Sequence, residues 1–235
     1  MPTITLLVLV LNEIDGLKAI MPQVPRDLFE KIIVVDGGSN DGSIEWCIEN
    51  NYELFSQTRA GIRYAYWDVW ERIESEYVLT ISPDGNCDMS KIELLIEEAN
   101  NGFDLIIGSR YLDGNVSFDD DFITRFGNRV YNRYAQMFFG STLTDVMVIY
   151  RCFRTDLPRK LDLFNEKHYK YVEKMLFTKI SWEPLMTVRA IKQGFKTIDV
   201  LAGEPERIGG VRKLQIFRWG AAYLIQFIKE TIIKK

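Results

Sequence analysis

The chain opens on Ile4 to Leu11, a run that is almost uniformly apolar and branched, and turns polar at Asn12-Glu13. A run without alternation is what a central parallel strand needs when both of its faces are covered. The pattern recurs at Lys31-Ile-Ile-Val-Val-Asp36, at Tyr52 to Phe55, at Tyr77-Val-Leu-Thr-Ile81 and at Phe103-Asp-Leu-Ile-Ile-Gly108. Each run stops at residues that cannot continue it, such as Gly37-Gly38-Ser39-Asn40-Asp41-Gly42-Ser43 and Ser82-Pro83-Asp84-Gly85-Asn86. Helical segments fill the gaps. One runs from an Asn12 cap to Ile20 and ends at Pro22 and Pro25; others run from an Asp41 or Ser43 cap towards Glu49, from Arg59 to Glu74, and from Asp88 to a stop at Asn101-Gly102. Strands separated by helices, with right-handed crossovers, predict a doubly wound, mostly parallel α/β sheet flanked by helices.

After Arg110 the pattern changes. Tyr111 to Asp121 reads as a loop, with Gly114, Asn115 and the run Asp119-Asp120-Asp121. A helix from Arg125 to Phe139 follows, carrying Arg125, Asn128, Arg129, Asn132 and Arg133. Their spacing puts them on one face, which is either a solvated charged face or a wall turned to an anion. Asp145 to Phe153 looks like a strand, Glu166 to Lys179 and Trp182 to Gln193 like helices, and Phe195 to Leu201 like a last strand. Glu204 to Lys213 is a loop rich in glycine and cations, holding Arg207, Gly209, Gly210, Arg212 and Lys213. The chain divides into residues 1–213 and an amphipathic C-terminal helix at 214–235. The apolar core of that helix, Leu214 to Ile228, would span roughly 22 Å at ~1.5 Å per residue, short of a ~30 Å hydrocarbon layer and broken by Arg218. It is expected to lie on an interface or pack on the domain.

Composition narrows this picture modestly. The 235 residues are 47% hydrophobic and 13% aromatic, enough for a large core in one domain or one domain with an appendage. A formal charge of −4 argues against a nucleic-acid-coating surface. Cys47, Cys87 and Cys152 are odd in number and far apart, which indicates neither a disulfide framework nor a zinc site, and fits a reducing, cytoplasmic setting. The N-terminus lacks the basic leader and cleavage site of a signal peptide and reads as a first strand. His168 is the sole histidine, so a multi-histidine metal site is excluded, and it reads as a surface residue rather than a catalytic one.

The candidate chemistry lies where the strands stop. Parallel strands put their carboxyl ends on one edge, where ligands of open α/β sheets sit, and Glu13, Asp36, Asp84 and Arg110 all fall there. Asp84 and Asn86 are hard oxygen donors of the kind that hold a divalent cation against a diphosphate. Taken alone, that turn would simply reverse the chain.

The order of these motifs resembles glycosyltransferase family 2, of GT-A fold, and within it the dolichyl/polyprenyl-phosphate hexosyltransferases. The resemblance runs from about Thr3 to Lys213. Family members open with a strand ending P-T-Y-N-E, matched by Leu9-Val10-Leu11-Asn12-Glu13. They continue with V-D-D-G-S-x-D-G-T, matched by Val35-Asp36-Gly37-Gly38-Ser39-Asn40-Asp41-Gly42-Ser43, and a D-x-D-x-Q/N turn, matched by Ser82-Pro83-Asp84-Gly85-Asn86. The segment D-x-x-x-G-S-R-Y corresponds to Asp104 through Tyr111, D-x-x-S-G-F-R to Asp145 through Arg151, and R-x-x-G-x-S-K to Arg207 through Lys213. No single motif is specific, but six in order are.

The resemblance implies an inverting, metal-assisted transfer of a hexose from a UDP- or GDP-sugar to a lipid phosphate or a cell-surface glycan. It implies Mg²⁺ or Mn²⁺ on Asp84, with Pro83 and Asn86 beside it. Arg207 and Lys213 would close over the diphosphate, and Leu9, Leu11, Glu13, Val35 and Asp36 would lie beside the nucleoside. Arg110, with Arg125, would receive an anionic acceptor; for a hydroxyl acceptor Asp145 would be the base. A peripheral membrane contact at the cytoplasmic face and a homo-oligomer stay open. The chain departs from the family at Ser82 for the first aspartate of D-x-D, at Gly37 for the second of V-D-D, at Leu9 and Leu11 for Pro and Tyr, and at Val148-Ile149 for Ser-Gly. Two alternatives remain: a scaffold that has kept the fold and lost turnover, and a sugar nucleotidyltransferase, although Leu6 to Glu13 lacks the G-x-G-x-R segment that those enzymes share.

Overall fold

A computed structural model describes residues 1–114, 117, 122–209 and 215–233. The sequence features at Asn115, Asp119, Asp120, Asp121, Gly210, Arg212, Lys213, Leu214, Lys234 and Lys235 lie outside the described residues. The elements in order are β1 (Ile4–Val10), α1 (Ile14–Ile20), β2 (Lys31–Asp36), α2 (Ser43–Glu49), β3 (Glu53–Ser56), α3 (Ile62–Val69), β4 (Tyr77–Ile81), α4 (Ile92–Asn100), β5 (Leu105–Ser109), α5 (Phe122–Phe139), β6 (Arg151–Arg154), α6 (Leu157–Lys160), α7 (Lys170–Leu176), α8 (Glu183–Lys192), β7 (Thr197–Leu201) and α9 (Ile216–Ile232). The strands form one seven-stranded sheet of order β3-β2-β1-β4-β6-β5-β7. All pairs are parallel except those of β6 with β4 and β5. The expected doubly wound, mostly parallel α/β sheet is therefore found.

The uniform apolarity of β1 has a direct cause. Ile4, Leu6, Val8 and Val10 enter the core on one sheet face with Leu17, Cys47 and Ile92, while Leu7 and Leu9 enter the core on the other with Ala65, Trp182 and Leu185. Helices cover both faces, so the strand is apolar except at Thr5, whose buried hydroxyl accepts from Ser75 Oγ at 2.7 Å.

Several expectations are corrected. The strand expected over Asp145 to Phe153 begins only at Arg151, and residues 140–150 have no regular structure. Side chains take the ladder's place there: the Asn132 amide donates to the Thr144 carbonyl, and Val146 N–H donates to Asn132 Oδ1 at 3.0 Å. The strand that follows is antiparallel and separates β4 from β5. Asn12 does not cap α1, which starts at Ile14; Asn12 sits at φ 53 and its Oδ1 accepts from Asn40 N–H at 2.8 Å. The Ile14 N–H is satisfied instead by Asp41, from the loop after β2, at 3.0 Å. The helix expected over Arg59 to Glu74 shortens to α3 plus one 3₁₀ turn, because Asp68 holds Thr58 N–H and the Arg59 side chain outside it.

The C-terminal helix α9 packs on the body. Ala222, Tyr223, Gln226, Phe227 and Glu230 are buried, and Glu230 pairs with Arg189 at 2.7 Å and Lys192 at 3.3 Å. Among the described residues no helix is long and apolar enough to cross a membrane.

Candidate active site at the carboxyl edge of the sheet

The parallel strands β1, β2 and β4 end side by side, with Val10 opposite Asp36 and Val8 opposite Ile81. Their continuations, Leu11 to Glu13, Gly37 to Ser43 and Ser82 to Asn86, therefore share one edge. Asp36 and Asp84 lie on the same side of the molecule. The continuations are also bonded to one another. Asn12 N–H donates to Ser39 Oγ at 2.8 Å and Glu13 N–H to Ser43 Oγ at 3.3 Å. The Asp36 carboxylate accepts from its own loop, at Gly38 N–H (2.8 Å) and Ser39 N–H (3.2 Å). It thus shapes the turn that it was expected to line.

Two glycines let the Asp84 turn approach its neighbours. A Cβ on Gly16 of α1 would lie 1.9 Å from the Pro83 carbonyl oxygen, so only glycine fits beneath the turn. Gly85 has φ 93, and a Cβ there would fall 2.7 Å from the Ile208 side chain. Ile208 N–H donates to the Asp84 carbonyl at 2.7 Å, which docks the loop after β7 onto the turn after β4. That docking carries Arg207 between two carboxylates, 3.0 Å from Asp84 and 3.9 Å from Glu13. The sequence expectation that Glu13, Asp84 and Arg207 gather from three distant segments is met by this geometry. Asn86 is half-buried beside them, its N–H donating to Asp84 Oδ1 at 3.2 Å. Lys213 lies outside the described residues.

The apolar positions expected beside a nucleoside divide. Leu11 is 39% exposed at the edge, whereas Leu9 and Val35 are core residues, Val35 being 1% exposed. Pro83 is buried, its carbonyl against Gly16.

The other end of the edge is built differently. Arg110, directly after β5, makes a two-pronged ion pair with Asp145, Nε to Oδ2 at 2.6 Å and Nη2 to Oδ1 at 3.0 Å, and reaches Glu204 at 3.5 Å. Burial alone would lower the pKa of this guanidinium, but Asp145 and Glu204 outweigh it and hold it well above the ordinary arginine value. Glu204 also accepts from the Ser117 hydroxyl. Behind Asp145, Thr144 donates to Asp199 through both its N–H and its hydroxyl, the latter at 2.7 Å, and its Oγ1 lies 2.6 Å from Ser109 Oγ. Burial pushes the Asp199 carboxyl up to about 6, against the Thr144 hydrogen bonds, which pull it down. Arg125 is exposed and donates to the Ser117 carbonyl at 3.3 Å, while Asn128 and Asn132 face inward.

The sequence reading missed Glu204, Asp199, Thr144 and Gly16. Glu204 had one signal, an acid opening the cation-rich loop; the others had none without the fold. His168, expected at the surface, bridges Asp162 at 2.7 Å and Arg189 at 3.0 Å, away from the edge.

The oxygen donors fit a cation. Asp84 and Glu13, from the ends of β4 and β1, already share the positive guanidinium of Arg207. Among the described residues no group of three or more His, Cys, Asp or Glu side chains could hold a metal unaided, so the remaining ligands of a divalent ion would come from a bound diphosphate and water.

Comparison with known proteins gives the same outline. The model of Glycosyl transferase family 2 matches residues 6–161. The polyprenol monophosphomannose synthase of Mycolicibacterium smegmatis is 26% identical over 216 residues, 86% of this chain and 77% of that protein. The undecaprenyl-phosphate mannosyltransferase of Micrococcus luteus is 25% identical over 228 residues, 90% of this chain and 91% of that protein. Among solved structures, glucosyl-3-phosphoglycerate synthase from Mycobacterium tuberculosis, in complex with Mn²⁺, UDP and phosphoglyceric acid, superposes with a TM-score of 0.66 over 100% of this chain and 80% of that one. At 15% identity that likeness shows a shared fold.

Proposed function

The chain belongs to glycosyl transferase family 2, and from that premise we propose that it moves a hexose from a UDP- or GDP-sugar to a polyprenyl phosphate, with inversion and with help from Mg²⁺ or Mn²⁺. The observation that carries the donor half is the cation position shared by Asp84 and Glu13 and filled by Arg207. Glycosyl transfer builds positive charge on the anomeric carbon and negative charge on the departing diphosphate, so cations placed at the leaving group favour the transition state. When bound, the metal ion supplies charge neutralisation at the diphosphate, held by Asp84 with Asn86 beside it. Arg207 turns from the two carboxylates to the phosphate oxygens. Leu11, Glu13 and the loop shaped by Asp36 receive the nucleoside.

The acceptor half rests on what Asp145 cannot do well. Its carboxylate is fully buried and held on both oxygens by Arg110, so it is committed to that pair rather than turned to a substrate proton. A phosphate acceptor needs no such base. Its oxygen attacks the anomeric carbon, the bond from that carbon to the diphosphate oxygen breaks, and the nucleoside diphosphate leaves with the electron pair. This favours a lipid phosphate over a glycan hydroxyl, in keeping with the names of the two bacterial relatives. Since Arg110 already serves Asp145 and Glu204, the exposed Arg125 is the cation that an arriving phosphate meets first.

Thermal unfolding with UDP-hexoses and GDP-mannose, with and without Mn²⁺, tests the proposal. A matching donor at about a hundred times its Kd should stabilise the fold by ~2.7 kcal/mol, and only when Mn²⁺ is present. Asp84→Ala should remove the metal dependence. Donor binding that survives Asp84→Ala with its Mn²⁺ dependence intact would put the cation elsewhere, and no response to any nucleotide sugar would favour a scaffold.

A further inference from the structure

The loop that follows β7 touches both ends of the site within a few residues. Ala202 N–H donates to the Ser109 carbonyl at 3.0 Å, which fixes the start of the loop beside Arg110. Glu204 then turns its carboxylate to Arg110, Oε2 lying 3.5 Å from Nη1, and accepts from the Ser117 hydroxyl. Three residues on, Arg207 pairs with Asp84 at 3.0 Å, and Ile208 N–H donates to the Asp84 carbonyl at 2.7 Å. Between Glu204 and Arg207 stands Pro205, whose ring fixes its own φ and biases Glu204 towards an extended backbone. The link between the two charged side chains is thus short and stiff.

Glu204 does not hold Arg110 as Asp145 does. Asp145 takes Nε and Nη2 at 2.6 and 3.0 Å, a close two-pronged pair, whereas Glu204 faces Nη1 at the longer distance of 3.5 Å. A carboxylate and a phosphate monoester make the same charge-assisted contacts with a guanidinium. Two such anions side by side repel, so the group that faces Nη1 decides whether a phosphate can come there. We propose that Glu204 is a built-in competitor for the acceptor phosphate, holding Arg110 until a bound nucleoside diphosphate draws Arg207, on the same loop, away from Asp84. As Arg207 moves, Pro205 passes the displacement to Glu204, and the phosphate takes its place. Arg110 exchanges one anion for another, so no buried charge is stranded. Ser117 joins the two steps, because its hydroxyl donates to Glu204 while its carbonyl accepts at 3.3 Å from Arg125, the exposed cation that meets the phosphate first. The consequence is an order of binding, donor before acceptor. The identity of the two ligands rests on the reading under Proposed function.

Titration of the full chain with farnesyl phosphate, a short polyprenyl phosphate, with and without Mn²⁺ and UDP or GDP, tests this by calorimetry; farnesol is the control that lacks the phosphate. In the wild-type protein the nucleotide should tighten farnesyl phosphate about tenfold, and by reciprocity farnesyl phosphate should tighten the nucleotide by the same factor. Glu204→Gln keeps an acceptor for Ser117 and removes the charge. Without nucleotide it should bind farnesyl phosphate about tenfold more tightly than wild type, and it should lose the mutual tightening. Glu204→Asp, which restores the charge, should restore the dependence on nucleotide. Pro205→Gly, which loosens the link, should keep the wild-type affinity without nucleotide and lose the tightening. Should Glu204→Gln not fold, Pro205→Gly decides alone. Glu204→Gln that binds farnesyl phosphate no better than wild type overturns the proposal, and so does mutual tightening that survives in both Glu204→Gln and Pro205→Gly. A chain that answers neither UDP nor GDP, but whose Glu204→Gln variant gains affinity for farnesyl phosphate, keeps Glu204 as a competitor and removes the transferase reading. One that answers a nucleotide while Glu204→Gln gains nothing loses the competitor alone.

Discussion

The two ends of the candidate site are held by different means. At the end formed by β1, β2 and β4, hydrogen bonds fix the loops after β1 and β2, Asp36 to Gly38 and Ser39, Asn12 to Ser39 and Asn40, Glu13 to Ser43, and the Asp84 turn is held by Ile208 and Arg207. At the end formed by β5, β6 and β7, a buried cation and its carboxylates are fixed by one another, Arg110 with Asp145 and Glu204. Backbone N–H groups in a loop tolerate the loss of one partner because water can replace it. A buried ion pair does not, because removing one charge strands the other. The hydrogen-bonded loops after β1 and β2 can thus lose single partners, whereas the Arg110 pair must be kept or replaced as a unit.

The sharpest way to break that contrast is Asp145→Ala. Asp145 is fully buried and holds Arg110 by both oxygens, so its loss should destabilise the protein by about 3–5 kcal/mol. Arg110→Met combined with Asp145→Leu should recover a large part of that loss in urea unfolding, since the stranded charge goes with its partner. A double variant no more stable than Asp145→Ala would mean that the residues matter separately rather than as a pair.

A second substitution probes the looser end at its one rigid point. Gly16→Ala would place a methyl group 1.9 Å from the Pro83 carbonyl oxygen, and that atom is backbone, which cannot swing aside. The overlap should cost up to about 3 kcal/mol as the turn shifts. Because the turn carries Asp84, donor affinity in a nucleotide-sugar titration should fall further than stability alone explains. Unchanged donor affinity would show that the Asp84 turn is not the binding element.

This difference between the ends also explains what could be read in the chain. The β1, β2 and β4 loops are contiguous stretches that begin where an apolar run stops, so Glu13, Asp36 and Asp84 could be placed on one edge from strand order alone. The Arg110 end joins positions 35 apart for Asp145 and 94 apart for Glu204. Their meeting depends on β6 running antiparallel between β4 and β5, and a short apolar run carries no sign of strand direction. Asp145 was found through a motif, whereas Glu204 and Asp199 had none. Leu9 and Val35 show the reverse limit, since a motif position beside a nucleotide and a core position look alike when both are apolar. On α5 the arginine spacing was visible, but which residues between the arginines stay uncovered depends on what packs against the helix.

The smallest effect separates the ends by pH. Asp199 lies behind the Arg110 end, its Oδ2 accepting twice from Thr144 while its buried Oδ1 has no hydrogen-bond partner among the described residues. Burial raises its carboxyl to about 6 in the folded protein, against an ordinary value of 3.8. Between those values the folded state holds a proton that the unfolded chain has released. The sign follows from linkage: stability is greatest below the unfolded value and is lost as pH climbs towards about 6, after which the deficit is constant. The deficit should be about 2 kcal/mol, taking ~1.4 kcal/mol per pKa unit and allowing for relaxation around the charge. Asp199→Asn keeps an acceptor for Thr144 and removes the titration, so the gap in urea stability between the variant and the wild-type protein should move in the variant's favour by that amount from pH 4 to pH 7. Parallel curves for Asp199→Asn and wild type would mean that Asp199 is hydrated in solution and that the Arg110 end is as open to water as the end formed by β1, β2 and β4.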